Sequence, residues 1–181
     1  MNEKDKSSDE LMILVDSNDV EIGLLDKTTV HKTGVLHRAF SVFLFNSMGF
    51  LMLQRRAESK YHSPGLWSNT CCSHPRQGEY TKAACSRRLF EEMGIKCTLN
   101  FAFSFTYRAQ LDNGLTEHEF DHVYFGFTDK IPKPDPQEVM DWKYISIKEL
   151  QKDILSNPQD YTEWLKICFA KVVEHLEAVK P

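Results

Sequence analysis

The sequence predicts an α+β fold of α/β/α layering, with mixed β-sheets flanked by helices. Three observations predict it. Short β-branched and aromatic runs bounded by turn residues recur along most of the chain. One helical pattern, from about Glu79 to Met93, interrupts them midway. Helical patterns close the chain after Ser146.

Residues 1–10 are a polar, charged leader, expected to be flexible, and residues 11–181 are expected to form a single domain. Leu11-Met12-Ile13-Leu14-Val15 reads as a strand, Asp16 to Asp19 as a turn and Val20 to Leu25 as the returning strand. Arg38 to Asn46 is β-branched and aromatic, Ser47-Met48-Gly49 turns it, and Phe50 to Gln54 returns, which predicts a second hairpin. Ala57 to Gly78 contains Pro64, Gly65, Pro75 and Gly78 and reads as a long ordered loop, a length usually kept for function. The mid-chain helix ends at Gly94. Ile95 to Ala109 and Leu115 to Thr128 form a third strand pair about the turn Asp112-Asn113-Gly114. Pro132, Pro134 and Pro136 forbid regular structure, Met140 to Ser146 resumes a strand, and Ser146 to Glu149 is a capping box for a short helix. A last helix runs from about Asp160 to Val179.

With 181 residues, 41% of them hydrophobic, the chain can bury one sizeable core. A net charge of −4 without a long basic stripe argues against nucleic acid and for a small-molecule partner. No apolar run approaches the roughly 20 residues of a membrane span, and the leader lacks an apolar segment. Five cysteines, two of them adjacent, suit reduced thiols better than a disulfide framework. A cytoplasmic protein, monomeric or weakly dimeric, with no membrane contact is expected.

The chemistry concentrates in Asn69-Thr70-Cys71-Cys72-Ser73-His74-Pro75 and the helix that follows. On that helix Cys85, Leu89 and Met93 form the apolar stripe, and Arg87 and Glu91 point away as a solvated i,i+4 pair. Glu92 falls at the edge of the buried face, where an unpaired carboxylate is costly, so a cation is expected beside it. Glu117 and Glu119, two apart in a strand, project from one face, and Asp121 continues the row. With His31, His37 and His74 they would make a mixed nitrogen and oxygen site suited to Zn2+ or Mn2+. Taken singly, each glutamate is more often solvated and each histidine more often structural; the combination carries the reading. His118 and His122 point to the opposite face as satisfied structural residues, and His62 and His175 read as loop and surface residues. Arg55-Arg56 at a strand end, facing the long loop, suits a phosphate or diphosphate.

Glu79, Arg87, Leu89, Glu91, Glu92, Gly94 and Ile95 resemble a degenerate Nudix box, with Ser73 where the box opens on glycine and Arg88 where a hydrolase has glutamate. The stretch Asn69 to Pro75, with Leu36-His37-Arg38-Ala39-Phe40, Tyr107-Arg108-Ala109 and Glu117-His118-Glu119, resembles the type 1 isopentenyl-diphosphate isomerases from about Met12 to the final helix. The resemblance implies a Nudix-like fold and interconversion of isopentenyl and dimethylallyl diphosphate by an allylic proton shift. It implies that His31, His37, His74, Glu117 and Glu119 hold one Mn2+ or Zn2+ (or Mg2+), and that Glu92 helps hold Mg2+ on the substrate diphosphate. It makes Cys72 and Glu119 the catalytic pair. It places Lys27, Arg56, Lys60 and Arg88 against the diphosphate, and Tyr107 and Trp164 near the reacting carbons. A Nudix diphosphate hydrolase, or a non-catalytic diphosphate-binding module, is the alternative.

Overall fold

The computed structural model describes residues 11–178, so the leader expected at residues 1–10 lies outside the described residues. β1 (Leu11–Val15) and β2 (Glu21–Asp26) form the expected opening hairpin. A helix that the local pattern does not announce follows at once, α1 (Lys27–Thr33). Thr28, Thr29 and Val30 are β-branched and weak helix formers, and the caps outweigh them. The Asp26 side chain accepts from Thr29 N at 2.9 Å, while Gly34, in the left-handed region at φ 65°, donates to Val30 O at 2.8 Å.

β3 (His37–Phe45) is the spine of the sheet. One edge pairs in parallel with β8 (Thr116–Phe127), from His37 opposite Glu119 to Phe45 opposite Phe127. The other edge is shared by Leu14 of β1, by β6 (Cys71–Ser73), and by β4 (Leu51–Arg56) at the single pair Phe45 and Leu51. The second hairpin therefore forms its turn, with Asn46 Oδ1 accepting from Met48 N and Phe50 N, and then opens. Past Leu51, β4 pairs with β9 (Val139–Ile145) on one side and with β5 (Trp67–Ser68) on the other. The expected loop from Ala57 to Gly78 thus contains two short strands.

Opening a strand pair orphans backbone groups, and Asn69 and Thr70 repair them. Thr70 Oγ1 donates to Met52 O of β4 at 2.6 Å and accepts from Leu44 N of β3 at 2.9 Å. Gln54 Nε2 donates to Thr70 O at 2.9 Å, and Asn69 Nδ2 donates to Cys71 O at 2.8 Å. This wedge admits β6 and sets Cys72 opposite Ser41. Thr70→Val keeps the shape but leaves Leu44 N and Met52 O buried and unpaired. A loss of about 2–4 kcal/mol is expected. Urea denaturation checks it, and a loss under about 0.5 kcal/mol would show that the hydroxyl does not join the strands.

β7 (Leu99–Gln110) returns antiparallel against β8 around Asp112 to Gly114, where Asn113 and Gly114 have φ of 60° and 73°. A register shift between Phe101 and Phe103 turns Phe103, Phe105, Tyr107 and Ala109 inward and sets Tyr107 opposite Glu119 and Ala109 opposite Glu117. Two apolar layers then cover the sheet. Phe40, Val42, Leu44 and Met52 pack under α2 (Thr81–Met93) with Ala84, Cys85, Leu89 and Met93. Phe43, Phe45, Leu51, Leu53 and Phe125 pack under α4 (Glu163–Ala178) with Trp164, Leu165, Cys168, Phe169 and Val172. α3 (Ile147–Ser156) starts from the expected Ser146–Glu149 capping box. The result is α+β, with the sheet between α2 and α4. Among the described residues no helix is long and apolar enough to cross a membrane.

Candidate active site

α1, β3, β6 and β8 bring five predicted residues together. His31 and His37 are fully buried, and His74, Glu117 and Glu119 are at most 8% exposed. His31 Nδ1 lies 2.7 Å from Lys27 O and His37 Nδ1 lies 3.0 Å from Val35 O. A carbonyl only accepts, so each Nδ1 carries a proton, and in the neutral ring each Nε2 presents its lone pair. His31 Nε2 is 3.3 Å from Glu117 Oε2, and His37 Nε2 is 3.8 Å from the same oxygen and 3.7 Å from Glu119 Oε1. His74 Nε2 lies 3.1 Å from Glu119 Oε1.

The Nε2 atoms of His31 and His37 and Glu117 Oε2 are buried without a hydrogen-bond partner. Donors about 2.1 Å from one ion in octahedral geometry stand about 3 Å apart, close to these separations. The sets His31, His37, His74 and His37, Glu117, Glu119 each place their donor atoms within 4.8 Å of one another. The cluster therefore fits a divalent metal, which would satisfy the orphaned atoms.

The electrostatics are set by burial against close pairing. Burial works against the charged form of Glu119, yet His37 and His74 hold its carboxyl well below the usual range. Burial and the neighbouring Glu119 raise Glu117. For His37, burial is outweighed by Glu119 and Glu117, which raise it, whereas burial carries His74 down to about 4. Asp121, the third acid of the row, is buried, accepts from Ser41 Oγ at 2.8 Å and is pushed well up by burial and by Glu119.

Cys72 sits half-buried on β6 against the α4 layer, and burial pushes its thiol up to about 12, so it keeps its proton. Tyr107 donates its phenol to Glu119 Oε2 at 2.7 Å. Trp164 is buried and donates from Nε1 to Ser68 Oγ at 2.9 Å, with the Arg56 guanidinium 5.2 Å from its ring centre. Arg56 also donates to Ser63 O and His62 O, and Arg55 to Gly65 O, so the two arginines hold the loop they face. The charges of Arg56 and Lys27 both bear on His62.

Glu92 stands apart from the five-donor cluster. The cation expected beside it is Arg88, whose Nη2 lies 2.8 Å from Glu92 Oε1, while Gln54 donates to Glu92 Oε2 at 2.8 Å. Arg88 also meets Glu91 at 2.8 Å and Glu138 at 3.1 Å, and Lys60 pairs with Glu138. Arg87 reaches Glu91 at 3.3 Å as expected, but holds Glu79 more closely, at 2.8 Å. Sequence patterns did not reveal Gln54 or Glu138, since neither lies near the helix in the chain.

Glu138 permits a pH test. Burial raises its carboxyl, but Lys60 and Arg88 outweigh it and bring it from 4.5 to about 2. A lowered carboxyl stabilises the fold fully above its unfolded value and loses that contribution as pH falls toward its folded one. Glu138→Gln should cost about 1–3 kcal/mol at neutral pH, with the gap to wild type narrowing from about pH 5 downward. Urea titrations at pH 7, 5 and 3 measure it; a constant gap would refute the pairing.

One expectation is corrected: His62 is not a surface loop residue. It is 8% exposed, with Nε2 3.3 Å from Glu117 Oε1 and its ring 5.5 Å from His31 and 5.7 Å from Trp164. Long-range folding of the loop brings it there; its only sequence signal is membership of the loop that also carries Cys72 and His74. His118 and His122 are structural as expected, on Gly34 O and Asp19 Oδ2, and His175 packs against Phe103.

Comparison with known proteins gives the family and the fold. The family described as NUDIX domain matches residues 35–165. An isopentenyl-diphosphate Delta-isomerase of Pectobacterium atrosepticum is 51% identical over 169 residues, covering 93% of this chain and 94% of that protein. The isopentenyl-diphosphate Delta-isomerase 1 of Aromatoleum aromaticum is 53% identical over 162 residues, covering 90% and 92%. In fold, the chain is similar to DR0079 from Deinococcus radiodurans, with a TM-score of 0.76 at 20% identity over 90% of this chain and 98% of that one. It is also similar to a MutT protein from Methanosarcina mazei Go1, with a TM-score of 0.64 at 18% identity over 80% and 96%.

Proposed function

Because this chain belongs to the isopentenyl-diphosphate Delta-isomerase family, on a Nudix fold, we propose that Cys72 and Glu119 perform its proton transfers. The reaction interconverts isopentenyl and dimethylallyl diphosphate. A proton is added at one carbon and another is removed two carbons away, so the C5 unit must lie between a donor and an acceptor. The resting charge state supports this: Cys72 holds a proton, Glu119 is ionised, and Tyr107 donates a hydrogen bond to Glu119. The observation that carries the reading is that one carboxylate, Glu119, both belongs to the five-donor cluster and accepts from Tyr107.

A divalent cation held by His31, His37, His74, Glu117 and Glu119, of the Mn2+ or Zn2+ class with Mg2+ also compatible, would keep Glu119 anionic and fix its orientation. Lys27, Arg56, Lys60 and Arg88 would receive the diphosphate, and Glu92 would help hold the Mg2+ that accompanies it. Arg88, held by Glu92 and Glu138, would turn a guanidinium arm to a phosphate oxygen of the substrate. Tyr107, Trp164 and the α4 layer close the hydrocarbon side to water, which protects a carbocation-like transition state. The five cysteines are all free thiols, which supports a reducing compartment such as the cytoplasm, and we take the working species as a monomer or weak dimer without membrane or nucleic-acid partner.

Incubation with isopentenyl diphosphate in deuterated water tests the assignment. Dimethylallyl diphosphate carrying carbon-bound deuterium, with negligible phosphate release, is expected. Phosphate or pyrophosphate released as fast as substrate disappears, with no deuterium on carbon, would select the Nudix hydrolase instead.

A further inference from the structure

We propose that His62 is the positioning residue of Glu117, donating from Nε2 to Glu117 Oε1 so that Oε2 stays turned toward His31 and His37. The inference rests on the metal-centre reading above and concerns a residue outside the five-donor set. The two oxygens of Glu117 face different partners. Oε2 lies 3.3 Å from His31 Nε2 and 3.8 Å from His37 Nε2 and is buried without a hydrogen bond, so its lone pairs are available to a cation. Oε1 lies 3.3 Å from His62 Nε2.

Protonation separates His62 from the ligand histidines. His31 and His37 each have Nδ1 on a backbone carbonyl, which frees Nε2 for an ion. His62 has no partner on its buried Nδ1 and meets a carboxylate through Nε2. His31, His62 and Glu117 also place donor atoms within 4.8 Å of one another, but no carbonyl fixes the His62 proton on Nδ1, so it sits on Nε2, and that nitrogen orients Glu117 rather than binding the metal. The surroundings hold the ring in place. Arg56 Nη2 donates to His62 O at 3.0 Å, Arg56 Nε donates to Ser63 O at 3.2 Å, and the ring stands edge-on to Trp164 at 5.7 Å. Trp164, His62 and Glu117 thus form a chain of contacts from α4 to the five-donor cluster.

The test is the Mn2+ dissociation constant of the full-length protein, measured by competition with a chromophoric chelator, for wild type, His62→Ala and His62→Gln. Alanine removes the donor and should weaken Mn2+ binding by about 10–100-fold. Glutamine keeps an N–H donor of similar reach and should bind within about threefold of wild type. Equal affinity in all three proteins would overturn the inference alone. Glutamine as weak as alanine would make His62 a direct ligand and overturn it too. A wild type that binds no Mn2+, Zn2+ or Mg2+ would overturn the metal-centre reading, and this inference with it.

Discussion

Cys72→Ala is expected to lower turnover by about 10²–10⁴-fold while the protein remains folded, the range that one positioned proton-transfer group contributes. The thiol is only half-buried and lies at the margin of the α4 layer, so its loss leaves little cavity. Cys71 provides the control. It is fully buried under α2, one residue earlier on the same strand, and faces the opposite layer. Cys71→Ala should lose about 1 kcal/mol of stability and keep most of its turnover. The two variants therefore fail in opposite assays: steady-state rate for Cys72, denaturant midpoint for Cys71. Equal losses of rate in both would remove Cys72 from the reaction.

Glu119→Gln should be at least as damaging, because one carboxylate serves three contacts. It faces His37 at 3.7 Å, meets His74 at 3.1 Å and accepts from Tyr107 at 2.7 Å. The amide keeps the size and one acceptor oxygen but carries no charge, so the cluster loses an anionic donor and the proposed proton transfer loses one of its two groups. A fall in turnover of about 10³–10⁴-fold is expected, with no recovery in excess metal. His74→Ala should instead bind less metal and regain part of its turnover as Mn2+ or Zn2+ is raised. Chelation of the wild type should abolish turnover, and restoring the metal should return it. More than a tenth of wild-type turnover in Glu119→Gln would show that another group moves the proton.

The sequence by itself determined the parts whose cause is local. Asp112-Asn113-Gly114 turns because Asn113 and Gly114 tolerate the left-handed backbone, and Ser146 with Glu149 caps α3. The helical stripe of Cys85, Leu89 and Met93 is buried because 3.6-residue periodicity puts them on one side. Glu117 and Glu119 share a face because strands alternate by two, and that pattern with the histidines was sufficient to point to the buried His/Glu cluster. Only the tertiary structure decided the rest. Thr70 held open the hairpin that Ser47 to Gly49 announces, so that β6 could enter beside β3. Gln54 and Glu138 joined the Arg88–Glu92 pair, itself an i,i+4 pair of one helix, only because β4 and the turn before β9 carried them to that helix face. His62 reached Glu117 across 55 positions of sequence (117 − 62) through a loop fixed by Arg56. Periodicity and caps act over one or two turns of chain, whereas these contacts join segments whose separation carries no local signal, and their geometry exists only once the sheet has closed around them.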